Sequence, residues 1–209
     1  MKLYLVRHGE TGSNIIGALD TAIPGADLSD AGRAQSIELV ERFKEIEVDA
    51  LFTSTLVRTH QTVEPLSQAT GLTPTVLDGL REIGAGTYEM RTDEDAIIGY
   101  MTAVGSWIMG DTSVRMPGGE TGDEFLARYD DAVKTIAASG ASTAILVSHG
   151  AAIRTWVGHR CDLTEWDGTA FSSLPNTGVI ELEGTIDDWK ILSWTRRPVE
   201  DLDPYRESD

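Results

Sequence analysis

The 209-residue chain carries 17 Lys and Arg against 34 Asp and Glu, a net charge of −17, with 41% hydrophobic residues. That apolar content supports a folded core, while the charge excludes sequence-independent binding to nucleic acid or to an anionic membrane. A single cysteine, Cys161, excludes an intramolecular disulfide and any cysteine-based metal cage.

Met1 and Lys2 lead directly into a first strand, "LYLV", which leaves no room for a leader and points to the cytoplasm. That strand ends on Arg7-His8-Gly9. "LSDAGRAQSIELVERFKEI" predicts a helix opening at Ser29 or Asp30, with Ile37, Leu39, Val40, Phe43 and Ile46 at helical spacings. "DALFTS" is a short buried strand ending in Thr53-Ser54. "TLVRTHQTVEPLSQATG" predicts a helix interrupted near Pro65 and closed by Gly71, with Arg58 in its first turn. "TPTVLDGL" alternates like a strand and leads into Arg81-Glu82.

Residues 91–116 carry apolar side chains, Tyr100, Met101, Val104 and Trp107 among them, that face either core or substrate. Trp107 is the candidate among them to line a pocket. The apolar run is broken by glycine and shorter than the ~20 residues of a membrane span. "GDEFLARYDDAVKTIAASG" puts Phe125, Leu126, Tyr129, Ala132, Val133 and Ile136 on one helical face. "TAILVS" is a buried strand ending in His149-Gly150, and "AAIRTWVG" the helix after it. "GVIELEG" and "WKILSWTR" close the chain as a strand pair. The stretch at 200–209, "EDLDPYRESD", is an acidic tail.

Strands alternating with helices predict one α/β domain over 1–209 with a mainly parallel sheet, whose ligands bind beyond the carboxyl ends of the strands. Those ends carry Arg7, His8, Arg58, Glu82, His149 and Gly150. A group that needs several fixed cations and donors at once is a phosphoryl group. Asn14 adds a side-chain donor, and Gly150 lets a backbone N–H meet the anion at a helix start. With phosphate held, His8 is the nucleophile, its imidazole kept neutral by the arginines. Glu82 is the general acid, with Glu89 as its rival, and His149 stabilises the equatorial oxygens, most effectively if protonated. No metal and no cofactor is required: arginines beside two histidines oppose a dication, and no HExxH pair exists. His60, His159 and Cys161 read as structural, and Arg154 as a brace for the last helix.

The blocks "LVRHGET", "STLVRTHQT", "LREIGAGTYE", "PGGET" and "VSHGAAIR", in that order, resemble the histidine phosphatase superfamily, the phosphoglycerate mutase-like family, from Lys2 to about Glu183. The resemblance implies a three-layer α/β/α sandwich with a mixed, mainly parallel sheet and the 91–116 insertion lying over the active site. It implies a phosphate pocket of Arg7, Arg58 and His149 around the nucleophile His8, with Asn14 as a further ligand and Glu82 as the proton donor of the small-phosphatase branch. Two departures stand at the rim: Gly12-Ser13 replaces a usual tryptophan, and Met90 stands where relatives have glycine.

The expected activity is a metal-independent phosphomonoesterase acting through phosphohistidine on a small phosphorylated metabolite with an apolar or uncharged body. A cofactor-dependent phosphoglycerate mutase is the alternative. The insertion argues against it, offering only Arg91 and Arg115 against Asp93, Glu94, Asp95 and Asp111. A catalytically silent phosphate-binding module ranks lower, because every catalytic residue of the family pattern is kept. Nucleic acid and membrane are not expected partners; the carboxy-terminal strands offer an edge for pairing as a homodimer, while the oligomeric state itself is not readable from the sequence.

Overall fold

A computed structural model describes residues 1–163 and 173–195; the acidic tail at 200–209 lies outside the described residues. Strand β1 (Lys2–Arg7) sits at the centre of the molecule and sends its side chains alternately to two cores. Leu3 and Leu5 enter one, Tyr4 and Val6 the other. The same alternation holds in β2 (Ala50–Thr53) and β4 (Thr143–Ser148). With β3 (Thr75–Val76), β5 (Val179–Thr185) and β6 (Asp188–Trp194) they form one six-stranded sheet in the order β3-β2-β4-β1-β5-β6. The first four are mutually parallel, and β5 and β6 run antiparallel. A sheet buried on both faces needs helices on both.

On the Tyr4 face lie α2 (Asp30–Phe43) and α3 (Val57–Thr70), joined through Leu39, Phe43, Val63 and Leu66. On the Leu3 face lie α4 (Glu94–Ile108), α5 (Gly122–Ala137) and α6 (Gly150–Arg160), contributing Trp107, Phe125, Tyr129 and Trp156. The expected α/β/α sandwich is the result. A five-residue helix, α1 (Gly12–Ile16), follows β1 and is closed by a capping box between Thr11 and Asn14.

Four local readings differ from the sequence expectation. α3 runs unbroken through Pro65. The proline removes one N–H, but burial of Thr59, Thr62, Val63 and Leu66 along one face carries the helix across it. The "TVLDGL" strand shrinks to two paired residues, because Asp78-Gly79 turns the chain into a 3-10 helix at Asp78–Leu80. Ile37 faces solvent, and the buried stripe of α2 is Gly32, Ser36, Leu39 and Phe43. Trp107, expected as a pocket-lining candidate, is a core residue: it is fully buried, stacked on Phe125, with its indole N–H on the Val114 carbonyl at 2.8 Å. The apolar residues of α4 thus divide between the core and an outward face of Ile98, Met101 and Met109. Tyr100 ties α4 to the turn at Ile83, its hydroxyl donating to that carbonyl at 3.2 Å.

Candidate active site

The register of two parallel strands assembles the centre of the site. Arg7 in β1 pairs with Ser148 in β4, so the next residues, His8 and His149, leave the sheet side by side. The His8 N–H donates to the Ser148 carbonyl at 3.0 Å, which prolongs the ladder by one step. The two imidazoles stand with ring centroids 5.3 Å apart at 60°. From the other side, α3 brings in Arg58, only 3% exposed. Its Nη2 donates to the Asp20 carbonyl at 2.9 Å and its Nη1 lies 3.8 Å from the Asp20 carboxylate.

Hydrogen bonds fix the state of each ring. His8 Nδ1 is 2.7 Å from the carbonyl oxygen of Gly9. A carbonyl only accepts, so Nδ1 carries the proton and Nε2 keeps its lone pair. His149 Nε2 is 2.7 Å from Ser54 Oγ. Ser54 Oγ already accepts the Leu56 N–H, and the Thr59 hydroxyl spends its proton on the Leu56 carbonyl at 2.7 Å. With the Ser54 proton on His149 Nε2, the ring carries its N–H at Nδ1. Burial holds His8 well below the ordinary imidazole range, with Arg58 and Arg7 adding to it. Burial, Arg58 and His8 do the same to His149. Burial thus favours the neutral form of both rings in the unliganded site.

Four buried side-chain nitrogens around this centre make no hydrogen bond among the described residues: Arg7 Nε, Arg58 Nε and Nη1, and His149 Nδ1. Buried orphan donors are costly. Both guanidinium groups act on His8 electrostatically, and the His149 ring stands beside it. Burial works against the Arg7 and Arg58 charges, and carboxylates sustain them, Glu82 for Arg7 and Asp20, then Glu82 and Glu89, for Arg58.

Glu82 stands at the edge of this socket. Its Oε1 accepts the N–H groups of Ile83 and Ala152, at 2.9 and 2.8 Å, and its Oε2 that of Ala151 at 3.2 Å. Two of these donors belong to the first turn of α6, so Glu82 caps that helix from a distant segment. Gly150 opens α6 beneath Arg7. A Cβ there would lie 3.1 Å from Arg7 Nε, so glycine lets the guanidinium rest on the helix start. Asn14 Oδ1 is occupied by the Thr11 N–H and by Asn176 Nδ2, both at 3.1 Å, which leaves the Asn14 amide nitrogen as its donor. Glu89 lies further out, its carboxylate accepting from the Thr21 and Ala22 N–H groups and the Thr21 hydroxyl.

Other candidates fall outside. Arg81 turns to Asp78, His60 is exposed, and His159 bonds the Trp107 carbonyl at 2.6 Å. Sequence reasoning missed the residues that hold the site together. Asp20 anchors Arg58 and Ser54 orients His149. Thr62 accepts the Gly9 N–H at 2.9 Å while donating to the Arg58 carbonyl at 2.7 Å. Arg128 clamps the carbonyls of Gly79, Arg81 and Glu82 at 2.8–3.0 Å and thereby sets the turn that carries Glu82. Ser54 and Thr62 lie within motif blocks and were legible as positions, though not as roles; Arg128 gives no local signal. Among the described residues no three His, Cys, Asp or Glu side chains converge as a metal requires, and no helix is long and apolar enough to cross a membrane.

Residues 3–197 match the sequence family described as the histidine phosphatase superfamily (branch 1), and the chain belongs to that superfamily. It is 30% identical over 213 residues to PE-PGRS family protein PE_PGRS11 of Mycobacterium tuberculosis, covering 93% of this chain but only 36% of that protein. Its identity to the probable phosphoglycerate mutase GpmB of Salmonella choleraesuis is 29% over 204 residues, 93% of this chain and 90% of that one. Among solved structures, a mycobacterial glucosyl-3-phosphoglycerate phosphatase, Rv2419c, complexed with VO3, superposes with a TM-score of 0.78 at 25% identity, over 93% and 98% of the two chains. A putative alpha-ribazole-5'-P phosphatase from Escherichia coli shares the fold at a TM-score of 0.75 and 21% identity, over 94% and 97%.

Proposed function

We propose that the chain is a phosphomonoesterase that hydrolyses a small phosphorylated metabolite through a phosphohistidine on His8, with neither metal nor cofactor. The observation that carries this reading is the set of orphan donors, Arg7 Nε, Arg58 Nε and Nη1 and His149 Nδ1, around an imidazole whose Nε2 lone pair is free. A phosphoryl group fills that need. Its three peripheral oxygens would take the two guanidinium groups, the neutral His149 N–H, the Asn14 amide and the first N–H of α6 at Gly150.

In the first step His8 Nε2 forms a bond to phosphorus as the ester P–O bond breaks in line. Glu82 gives its proton to the departing alkoxide; Oε2, which accepts a single N–H, has room to carry it. In the second step Glu82 takes a proton from water, the water oxygen bonds to phosphorus, and the P–N bond breaks to return His8 and release inorganic phosphate. Charge developing on the phosphoryl oxygens meets donors already in place, at no cost of reorganisation. The sign of the insertion's charge favours hydrolysis over mutase chemistry, since Arg91 and Arg115 are both spent on neighbouring acids. α4, tied by Tyr100 to the turn at Ile83, braces the segment that carries Glu82 from behind, within a single domain. We place the protein in the cytoplasm on its composition, with the edge strand β6 as the surface for a homodimer.

The test is p-nitrophenyl phosphate turnover with and without chelator, beside rapid acid-free quench for a phosphorylated protein. We expect chelator-resistant hydrolysis, an acid-labile phosphate on His8, and a fall of about 10⁴-fold or more in His8→Ala. Isomerisation of 3-phosphoglycerate that depends on 2,3-bisphosphoglycerate and outruns hydrolysis would select the mutase instead. Undiminished turnover in His8→Ala would remove the nucleophile from the scheme.

A further inference from the structure

Beyond Glu82 the phosphate socket opens into a cavity of about 410 Å³, within the range of small-molecule sites. Glu82 belongs to both, since it forms part of the cavity wall and acts on the charges of Arg7 and Arg58. The portion of an ester that is not phosphate must therefore occupy this space while its phosphorus faces His8.

The wall carries three carboxylates, Glu82, Glu89 and Glu120, and one guanidinium, Arg81. Arg81 is engaged with Asp78. Arg128, behind Glu120, is spent on that carboxylate at 2.6 and 2.8 Å and on three backbone carbonyls. Arg7 and Arg58 belong to the phosphate pocket of the proposed reaction, and Arg58 is also held by Asp20. No cation of the cavity wall is left for a second anionic group. Acceptors, by contrast, remain. Among the described residues Glu89 Oε2 takes only the Thr21 hydroxyl, and Glu120 Oε2 only Arg128 Nε, while a carboxylate oxygen has room for more than one donor.

We propose that this cavity takes an uncharged, hydroxyl-bearing alcohol such as a polyol or sugar body, donating to Glu89 and Glu120, and turns away esters whose alcohol carries a carboxylate or a second phosphate. The inference rests on the phosphomonoesterase reading. It replaces the apolar insertion as the source of selectivity, because the buried face of α4 is core. Discrimination comes from repulsion as much as from attraction: an anion brought beside Glu89 and Glu120 finds like charge and no free counter-charge.

A matched pair of substrates tests it. Glycerol 3-phosphate and 3-phosphoglycerate differ by a hydroxymethyl group against a carboxylate. We expect kcat/KM to favour glycerol 3-phosphate by about tenfold or more at low salt, and the ratio to shrink as salt screens the carboxylates. Glu89→Gln keeps the shape and an acceptor and should narrow the ratio several-fold, whatever happens to the absolute rates. Equal or better use of 3-phosphoglycerate, or an unchanged ratio in Glu89→Gln, overturns the inference and leaves the phosphatase reading intact. Inertness toward both esters and toward p-nitrophenyl phosphate overturns the phosphatase reading itself.

Discussion

The floor and the rim of the site are built by different means. The floor, Arg7, His8 and His149, is a consequence of strand register, and its side chains leave the ends of β1 and β4 where parallel pairing fixes their spacing. The rim, residues 18–23 against 81–91, has no sheet beneath it. It is closed by bonds between loops: Leu19 and Met90–Arg91 exchange backbone hydrogen bonds at 3.0–3.1 Å, and Glu89 gathers the Thr21–Ala22 turn. A floor set by register is rigid and carries buried, unsatisfied polarity at a cost in stability. A rim set by loop contacts can change its residues without disturbing the chemistry.

The cost of the floor is measurable. Burial and the arginines hold both imidazoles below the ordinary range, which favours their neutral form in the folded, unliganded protein. The unfolded chain protonates them near pH 6.5, so below that pH the unfolded state binds more protons and stability is lost as pH falls. It is fully present above the unfolded value. The slope is about 1.4 kcal/mol per pH unit for each histidine. We expect the phosphate-free urea midpoint to drop between about pH 7.5 and about pH 5.5, with roughly half the slope lost in His8→Asn. A midpoint that is flat over this window would break the contrast, since the floor would then carry no electrostatic burden.

The same division decides what was legible in the sequence. An apolar run ending in Arg-His-Gly or Ser-His-Gly states its own position in an α/β sheet, and amphipathic spacing named all six buried residues of α5 chosen for it. The rim was legible only as motif blocks. "TVLDGL" has the alternation of a strand, yet the Ser148 hydroxyl holds the Leu80 carbonyl at 2.7 Å and Arg128 holds the next turn, so tertiary bonds took over from local pattern. Arg128 is one polar residue on a helix surface, and nothing in its neighbours tells it from a solvated one. Pro65 misled in the opposite direction: its local veto was overridden by packing that no single segment encodes.

Ser54 probes the floor more finely. If its proton fixes the His149 tautomer, then Ser54→Ala frees the ring to carry its proton at either nitrogen. We expect kcat/KM for p-nitrophenyl phosphate to fall about tenfold. Nitrogen-15 shifts of the His149 ring should move from a pure Nδ1–H form toward a mixture. Lost packing alone would lower stability and leave the tautomer untouched. An unchanged ring spectrum beside reduced turnover would therefore assign Ser54 to packing and return the orientation of His149 to the backbone.

The smallest effect lies at the rim. Met90 adopts φ 59°, in the left-handed region, with its side chain 56% exposed. Its Cβ pays a steric penalty there that glycine does not, and no burial compensates for it. Met90→Gly also loosens the unfolded chain, which offsets part of the relief. The net gain expected in urea unfolding is about 0.5 kcal/mol. Met90→Ala keeps the Cβ and should gain nothing, so the difference between the two variants isolates backbone strain from loss of the side chain. Equal stability of the glycine and alanine variants would mean that the rim stores no strain, and that the loop bonds between Leu19 and Met90–Arg91 set this conformation without opposition.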